Sequence, residues 1–248
     1  MNKNIAILIC TYDKSKSLWR SLEQSYSKFW PDCKYKIYLS TNHENPGKSK
    51  FIPLFVGDEI SWSDNILKSL DKIDEDYILM TFDDVYWRNK VDAKTIDGLI
   101  QRCIDENWNY LRLHNSPKGD YYHDNQVSTI SRGARYRTST ANAIFKKDVL
   151  RNLLNVNENA WDFEKNGSKR SYVYDKFYVV NDVIIPYYNL IVKGKVELFA
   201  KTNIEKQGID LTDVEFERMS VFQSIARGLY VSLYRCYTFL LSFTGVHK

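Results

Sequence analysis

Two adjacent aspartates follow the most strongly apolar segment in the first half of the chain. Residues 77–82 have the pattern of a buried strand, and Asp83 and Asp84 come directly after them. In an open α/β sheet, ligands bind beyond the carboxyl ends of the strands. Mg²⁺ and Mn²⁺ bind one or two carboxylates together with phosphate oxygens, so the pair predicts a metal and diphosphate site. The alternative is that the two acids only begin a turn or cap the next segment.

The segments around this pair alternate between strands and helices. Short apolar or alternating runs predict strands, and apolar residues three and four apart predict helices. The predicted strands cover residues 5–10, 34–40, 51–56, 77–82 and 109–114, with a last pair between 178 and 200. The predicted helices cover residues 15–30, 61–73, 94–106, 141–154 and 159–166. This alternation predicts an α/β fold.

Composition excludes several classes of protein. The 248 residues carry 35 basic and 31 acidic side chains, a balance that argues against a dedicated nucleic-acid binder. The four cysteines form no CxxC pair, so we predict neither a structural zinc site nor a disulfide framework. The apolar run at residues 5–10 is too short for a signal-peptide core. We therefore expect a cytoplasmic protein.

The C-terminal segment is apolar on one side and basic. Residues 218–243 predict a helix with an apolar stripe formed by Phe222, Ile225, Ala226, Leu229, Leu233, Tyr237 and Leu240. No acidic residue follows Glu217. We predict a main domain over residues 1–210 and a helical appendage over 211–248. The stripe either packs on the domain or on a second copy in a homo-oligomer, or it lies on the inner-membrane surface.

Several sequence blocks occur in a recognisable order. They are Ser61-Trp62-Ser63-Asp64, Tyr77-Ile78-Leu79-Met80, Phe82-Asp83-Asp84, Tyr136-Arg137-Thr138-Ser139, Ala143-Ile144-Phe145-Lys146, Trp161-Asp162-Phe163-Glu164 with Gly167-Ser168, and Val192-Lys193-Gly194-Lys195. In this order they resemble bacterial surface-polysaccharide glycosyltransferases with a GT-A-like fold, over residues 5–195. Two positions depart from the pattern: Ala141 replaces a polar Gln, and adjacent acids replace an aspartate-any-aspartate triplet.

The resemblance implies a fold and a donor site. The fold is a Rossmann-related mixed sheet flanked by helices, with the C-terminal amphipathic helix added. Thr11, Tyr12 and Asp13 would bind the nucleotide and Asp58 its base, while Asp83 and Asp84 would bind Mg²⁺ or Mn²⁺. From the residues alone, positions 11–13 and 58 are equally well explained as turns.

Inverting sugar transfer needs a general base on the acceptor hydroxyl, and a carboxylate usually serves. The family block favours Glu164 for this role over Asp162, which lies three residues after Asn159 and is suited to a helix start. Glu164 also fits a solvated acid in a first helical turn.

The resulting hypothesis is a metal-assisted glycosyltransferase. It would move a sugar from a nucleotide donor such as a UDP-sugar to a lipid-linked glycan of capsule, O-antigen or lipopolysaccharide. A metal-dependent nucleotidyltransferase is an alternative, disfavoured because no glycine-rich, lysine-bearing loop follows the first strand. A non-catalytic glycan- or nucleotide-binding protein is the third reading.

Overall fold

The computed structural model describes residues 4–244, and side chains in its last helix as far as Leu233. The strands are β1 (Ile5–Cys10), β2 (Ile37–Thr41), β3 (Ile52–Phe55), β4 (Tyr77–Phe82), β5 (Val85–Trp87), β6 (Tyr110–Arg112), β7 (Tyr121–Tyr122), β8 (Val127–Thr129), β9 (Ala143–Lys146), β10 (Phe177–Val180), β11 (Tyr187–Asn189), β12 (Ile191–Val192) and β13 (Lys195–Val196). The α-helices are α1 (Trp19–Phe29), α2 (Trp62–Leu70), α3 (Ala93–Asp105), α4 (Lys147–Leu153), α5 (Ala160–Arg170), α6 (Leu198–Lys206) and α7 (Val221–Thr244).

A nine-stranded mixed sheet forms the centre of the protein. Its strand order is β3-β2-β1-β4-β9-β6-β10-β8-β7. β1 pairs in parallel with β2 and β4, whereas β9 runs antiparallel to both β4 and β6. A two-stranded sheet of β5 and β11 lies apart from it. The predicted α/β fold, a mixed sheet flanked by helices with a helix at its C-terminal end, is confirmed.

The two faces of the sheet bury two apolar cores. Successive strand residues point to opposite faces, so Ile7 of β1 faces one core and Leu8 the other. The first core lies under α1, α3 and α6, and the second lies under α2, α4 and α5. Helices therefore cover both faces, and the carboxyl ends of the parallel strands remain as the edge where polar residues collect.

Residues 141–154 do not form the single helix that their pattern predicts. Residues 143–146 are β9, and α4 begins only at Lys147. Ile144 and Phe145 are buried in different cores because β9 lies between β4 and β6. A strand covered on both faces is apolar at successive positions, so it resembles a buried helix in sequence.

Gly167 does not end the helix that begins near Asn159. α5 continues to Arg170, and Gly167 lies where the helix passes close to its neighbours. A Cβ at this position would lie 3.0 Å from the Phe163 ring and 3.2 Å from Thr138 Oγ1. The glycine therefore permits close packing against the loop before β9.

The C-terminal segment joins the domain before its last helix starts. Ile209 and Leu211 are buried in the first core, and Arg20 on α1 forms an ion pair with Asp213 at 2.6 Å. The division at residue 210 stays a prediction. Within residues 4–244, no helix is both long and apolar enough to cross a membrane.

Candidate active site

The polar site lies where the order of the strands reverses. From β1 the chain proceeds outward to β2 and β3 on one side, and from β4 the sheet continues on the other side through β9 and β6. β1 and β4 are parallel neighbours, with Cys10 opposite Phe82. The residues that follow both strands therefore meet at a switch point, where α/β sheets of this kind bind ligands.

Thr11 and Asp83, the first residues beyond these two strands, are joined directly. The Thr11 hydroxyl donates a hydrogen bond to the Asp83 carboxylate, and the Trp19 indole N–H donates to Thr11 Oγ1 at 2.9 Å. Asp83 and Asp84 form the short connection between β4 and β5, so the predicted turn is present. Asp83 is buried and Asp84 is partly exposed.

Both carboxylates are costly to ionise in this position. Burial raises the pKa of Asp83 to about 6, although hydrogen bonds from Thr11 and Ser15 oppose the change. Burial, and then repulsion from the Asp83 charge, raise the pKa of Asp84 to about 7. A bound cation would relieve this cost, because an opposite charge within a few ångströms favours the ionised carboxylate.

Asp13 organises the loop that follows β2. Its carboxylate accepts hydrogen bonds from Thr41 Oγ1 at 2.7 Å and from the backbone N–H groups of Asn42 at 2.9 Å and His43 at 3.0 Å. Burial alone would raise the pKa of Asp13, but these bonds lower it. Asp13 therefore shapes the pocket edge, and its predicted contact with a nucleotide stays a prediction.

Asp58 is linked to the same loop from β3. Its Oδ1 lies 2.9 Å from His43 Nε2, and the Asn42 side chain donates to the Gly57 carbonyl at 2.9 Å. Tyr12 is exposed on the same edge. The ends of β1, β2 and β3 thus form one continuous rim that brings together the four residues predicted to bind the nucleotide.

The start of α2 contributes polar atoms to which the sequence analysis assigned no role. Ser63 Oγ and Asn65 Oδ1 are buried, and neither has a hydrogen-bond partner among residues 4–244. Trp62 stacks on Phe82, with ring centroids 6.4 Å apart, which places this helix start beside the end of β4. Adjacent buried polar residues in the first turn of an apolar helix are the signal that could have indicated them.

Glu164 is held by the loop that precedes β9. Its Oε1 accepts bonds from the Thr140 backbone N–H at 2.8 Å, the Thr140 hydroxyl at 3.0 Å and the Ser139 hydroxyl at 3.2 Å. Oε1 accepts all three hydrogen bonds, and they orient the carboxylate. Oε2 accepts none of the three.

Asp162 has a local structural role at the start of α5. Its backbone N–H donates to Asn159 Oδ1 at 2.9 Å, and the Asn159 side chain donates to Asp162 Oδ2 at 2.7 Å. This is the capping arrangement that the sequence spacing suggested.

Tyr187 on β11 connects the two acidic parts of the site. Burial, and then the charges of Asp84 and Glu164, raise the pKa of Tyr187 to about 12. Both carboxylates are thus close enough to act on one phenol.

The aspartate pair fits a divalent metal that is completed by a ligand. No cluster of three or more His, Cys, Asp or Glu side chains that could hold a metal occurs in the described part of the chain. Mg²⁺ and Mn²⁺ commonly bind through one or two carboxylates and take their other ligands from phosphates and water. Asp84 is partly exposed, so a metal ion can reach it. A metal ion would also compensate the negative charge of both carboxylates.

The mixed sheet with its switch-point acids defines a GT-A-like fold, and known structures share it. No family model matches the chain, and no curated protein matches it. The S. aureus TarS 1–349 structure is 12% identical with a TM-score of 0.54, covering 75% of this chain and 60% of that one. The same protein in complex with UDP is 13% identical with a TM-score of 0.51, at the same coverage. A UDP-glucose pyrophosphorylase complexed with UDP-glucose is 11% identical with a TM-score of 0.51, covering 84% of this chain and 99% of that one.

At these identities the comparisons establish the fold alone. The chain spans 60% of the length of TarS 1–349, whereas it matches nearly the whole of the pyrophosphorylase. The matched proteins include complexes with UDP and with UDP-glucose.

We expect Asp84→Asn to stabilise the metal-free protein increasingly as pH rises. In the folded wild type the raised pKa keeps Asp84 protonated until about pH 7, whereas the unfolded chain ionises near 4. The free energy of unfolding of the wild type therefore falls as the pH rises from about 4 to about 7. The Asp84→Asn protein has no such loss, because the amide does not ionise. The gap should reach a few kcal/mol at about pH 8, since one pKa unit corresponds to about 1.4 kcal/mol.

Urea unfolding of both proteins from about pH 4 to pH 8 measures this gap. Asp58→Asn is the matched control, because Asp58 is exposed at the rim of the same site. A gap that stays constant with pH, or an Asp84→Asn protein less stable at pH 8, would contradict the burial argument.

Proposed function

We propose that this protein is a metal-assisted, inverting glycosyltransferase that moves a sugar from a nucleotide-sugar donor to a lipid-linked or surface-glycan acceptor. One observation carries the proposal. Asp83 and Asp84 lie at the switch point, and Tyr187 is near enough to Asp84 and to Glu164 for both charges to raise its pKa. Displacement at a sugar carbon requires groups that stabilise the departing diphosphate. It also requires a separate, oriented carboxylate that accepts the proton of the attacking hydroxyl.

In this reaction the residues have distinct tasks. Thr11, Tyr12 and the loop held by Asp13 bind the nucleotide, with Asp58 toward its base. Asp83 and Asp84 hold Mg²⁺ or Mn²⁺, which when bound neutralises charge on the departing diphosphate. Glu164 Oε2 accepts the proton of the acceptor hydroxyl as that oxygen attacks the sugar from the opposite side. The bonds from Ser139 and Thr140 to Oε1 keep the carboxylate in place.

Nucleotidyl transfer is the second candidate, because the chain covers nearly all of the matched pyrophosphorylase. The segment after β1 argues against it. It contains no glycine between Cys10 and Trp19 and forms a 3₁₀ turn over Asp13–Leu18. A loop that cradles a triphosphate through backbone N–H groups usually needs glycine for close approach.

The products of the reaction separate the two activities. Incubation with UDP-glucose or UDP-GlcNAc and Mn²⁺ should release UDP, by transfer or by slow hydrolysis. Formation of UTP from UDP-glucose and pyrophosphate would instead establish a nucleotidyltransferase. Nucleotide-sugar binding with neither product would favour the non-catalytic reading.

Asp84→Ala should reduce UDP release by about a hundredfold or more, the scale of losing one electrostatic stabiliser. Asp83→Ala should reduce it more variably, because Asp83 also anchors Thr11. Chelator should reduce the wild type to the level of Asp84→Ala. The control is Asp71→Ala, at the far end of α2, which pairs with Arg151 and leaves both strand-end acids in place. Undiminished activity in Asp84→Ala or in excess chelator would exclude the metal role.

Glu164→Gln should lower turnover by roughly a hundred- to ten-thousandfold while UDP binding is retained, because the amide cannot accept the acceptor's proton. The matched control is Asp162→Asn, two residues away on the same helix. Normal turnover in Glu164→Gln together with an inactive Asp162→Asn would assign the base to the other acid. A product that retains the donor's anomeric configuration would contradict inversion.

We also propose that α7 attaches this cytoplasmic enzyme to the inner-membrane surface, where a lipid-linked acceptor is anchored. The first half of its apolar stripe is open to solvent in the chain alone, with Phe222 80% and Leu229 61% exposed. Tyr237 and Leu240 lie outside the described side chains. Arg218, Arg227, Arg235 and Lys248 occur without any acid after Glu217. Each cation near an anionic leaflet contributes about 1 kcal/mol, which together with an apolar face suffices for reversible attachment.

Removal of α7 by truncation after Ser220 should abolish sedimentation with phosphatidylglycerol vesicles and leave UDP binding intact. Ending at Ser220 keeps the buried Met219 in place. Phe222→Asp with Leu229→Asp in the full chain should have the same effect, and Gln223→Asp is the control for added charge on the same turn. Unchanged vesicle binding would exclude the membrane role. A full-length dimer that becomes monomeric on truncation would assign the stripe to a homo-oligomer interface.

A further inference from the structure

Hydrogen-bonding capacity is left unused where β6 ends and β9 begins. Asn142 Nδ2 and His114 Nε2 are both buried, and neither has a hydrogen-bond partner in the described part of the chain. Buried polar groups are normally paired, so unpaired ones at the edge of the sheet where the strand-end acids lie indicate a place where a ligand supplies the partner.

Asn142 has a left-handed backbone conformation, which asparagine adopts more readily than most other non-glycine residues. Its φ is 48°, and it is fully buried. Its backbone carbonyl accepts from Leu113 N–H at 3.0 Å, and its side-chain Oδ1 accepts from the Thr81 hydroxyl at 2.8 Å. Thr81 lies two residues before Asp83. The oxygen is therefore committed to β4, and the amide NH₂ is the free end of a rigidly held group.

His114 carries a neutral ring beside Tyr187. Its ring centroid lies 6.3 Å from that of Tyr187, whose pKa is raised by the charges of Asp84 and Glu164. Burial, and then the nearby Arg112 charge, lower the pKa of His114 to about 4, although interactions with the backbone of Ser116 and Ala141 oppose the change. A neutral imidazole has one donor and one acceptor nitrogen. Together with the Asn142 amide, it suits an uncharged group that both donates and accepts, such as a hydroxyl.

The strand order indicates which part of the donor reaches these groups. The rim for the nucleotide is formed by β3, β2 and β1, and the acids for the diphosphate follow β4. Asn142 and His114 lie on the far side of β4, beside β9 and β6. A nucleotide sugar that extends across this edge places its sugar there, since the diphosphate separates the sugar from the nucleoside.

We propose that Asn142 and His114 form the subsite that binds a hydroxyl of the transferred sugar and selects the donor sugar. This inference rests on the proposed function. A site with buried polar groups discriminates strongly against a ligand that leaves them unpaired. Sugars whose hydroxyl pattern does not meet this pair should therefore bind no better than the nucleoside diphosphate alone.

Calorimetric titration of the full-length chain with Mn²⁺ tests the subsite. The probes are UDP, UDP-glucose, UDP-galactose and UDP-GlcNAc. The measured quantity is the ratio of the UDP dissociation constant to that of the best UDP-sugar. Asn142→Gly removes the amide and keeps the positive φ, and His114→Phe keeps a ring against Tyr187 and removes both nitrogens.

Two matched controls make the same changes elsewhere. Asn107→Gly alters another asparagine with positive φ, 53°, whose side chain accepts from Lys146. His123→Phe alters another ring-packed histidine, 4.9 Å from Tyr178. Neither residue belongs to the site.

We expect the wild type to bind one UDP-sugar more tightly than UDP. Each subsite variant should lower this ratio about tenfold, with UDP affinity within about twofold of wild type, and the controls should leave both unchanged. A ratio unchanged in the folded variants, or an equal loss of UDP and UDP-sugar affinity, would overturn the subsite. A wild type that binds UDP without preference for any sugar would overturn it and leave the nucleotide site standing. A wild type that binds no UDP would overturn the subsite and exclude UDP-sugars as donors in the proposed function.

Discussion

Two adjacent carboxylates at the end of β4, one buried and one partly exposed, are the constraint on which the rest of the site depends. Burial raises the pKa of Asp83 to about 6, and burial together with repulsion from Asp83 raises that of Asp84 to about 7. A fold selected for stability alone would not retain this arrangement, because uncharged residues would remove its cost. Thr11 offsets part of the cost for Asp83, and a divalent cation would offset most of the remainder. The raised pKa values thus connect the packing of β4 to a role in binding metal and diphosphate.

The loop between β8 and β9 is the second constraint, because it carries Ser139, Thr140 and Asn142. Buried arginines hold it with backbone carbonyls as their hydrogen-bond acceptors. Arg112 donates to the Tyr136 carbonyl at 3.1 Å, and Arg137 donates to the carbonyls of Ser171 at 2.5 Å and Tyr174 at 3.0 Å. The guanidinium of Arg137 also lies 3.9 Å from the Phe177 ring centroid. A loop fixed in this way can orient Glu164 and keep Asn142 in its left-handed conformation.

The sequence predicted elements that have clear ends, and it failed where a strand passes directly into a helix. β4 was predicted to its exact ends because its apolar run stops at Asp83, and α3 to within one residue because its apolar residues recur at helical spacing. β9 was taken for helix because it is apolar at successive positions and α4 begins at the next residue. The strand-end acids were predictable from the rule that α/β sheets bind ligands at that edge. The unpaired atoms of Ser63, His114 and Asn142 were not, because a sequence does not show which polar groups lack a partner.

The most direct measurement of the central claim is the coupling between metal and nucleotide. Electron paramagnetic resonance counts free Mn²⁺ and so gives its affinity with and without saturating UDP. If Asp83, Asp84 and the diphosphate share one ion, UDP should tighten Mn²⁺ binding at least tenfold, and Mn²⁺ should tighten UDP binding by the same factor. Asp84→Asn should abolish this coupling. Mn²⁺ and UDP that bind independently, or coupling that survives in Asp84→Asn, would contradict the account.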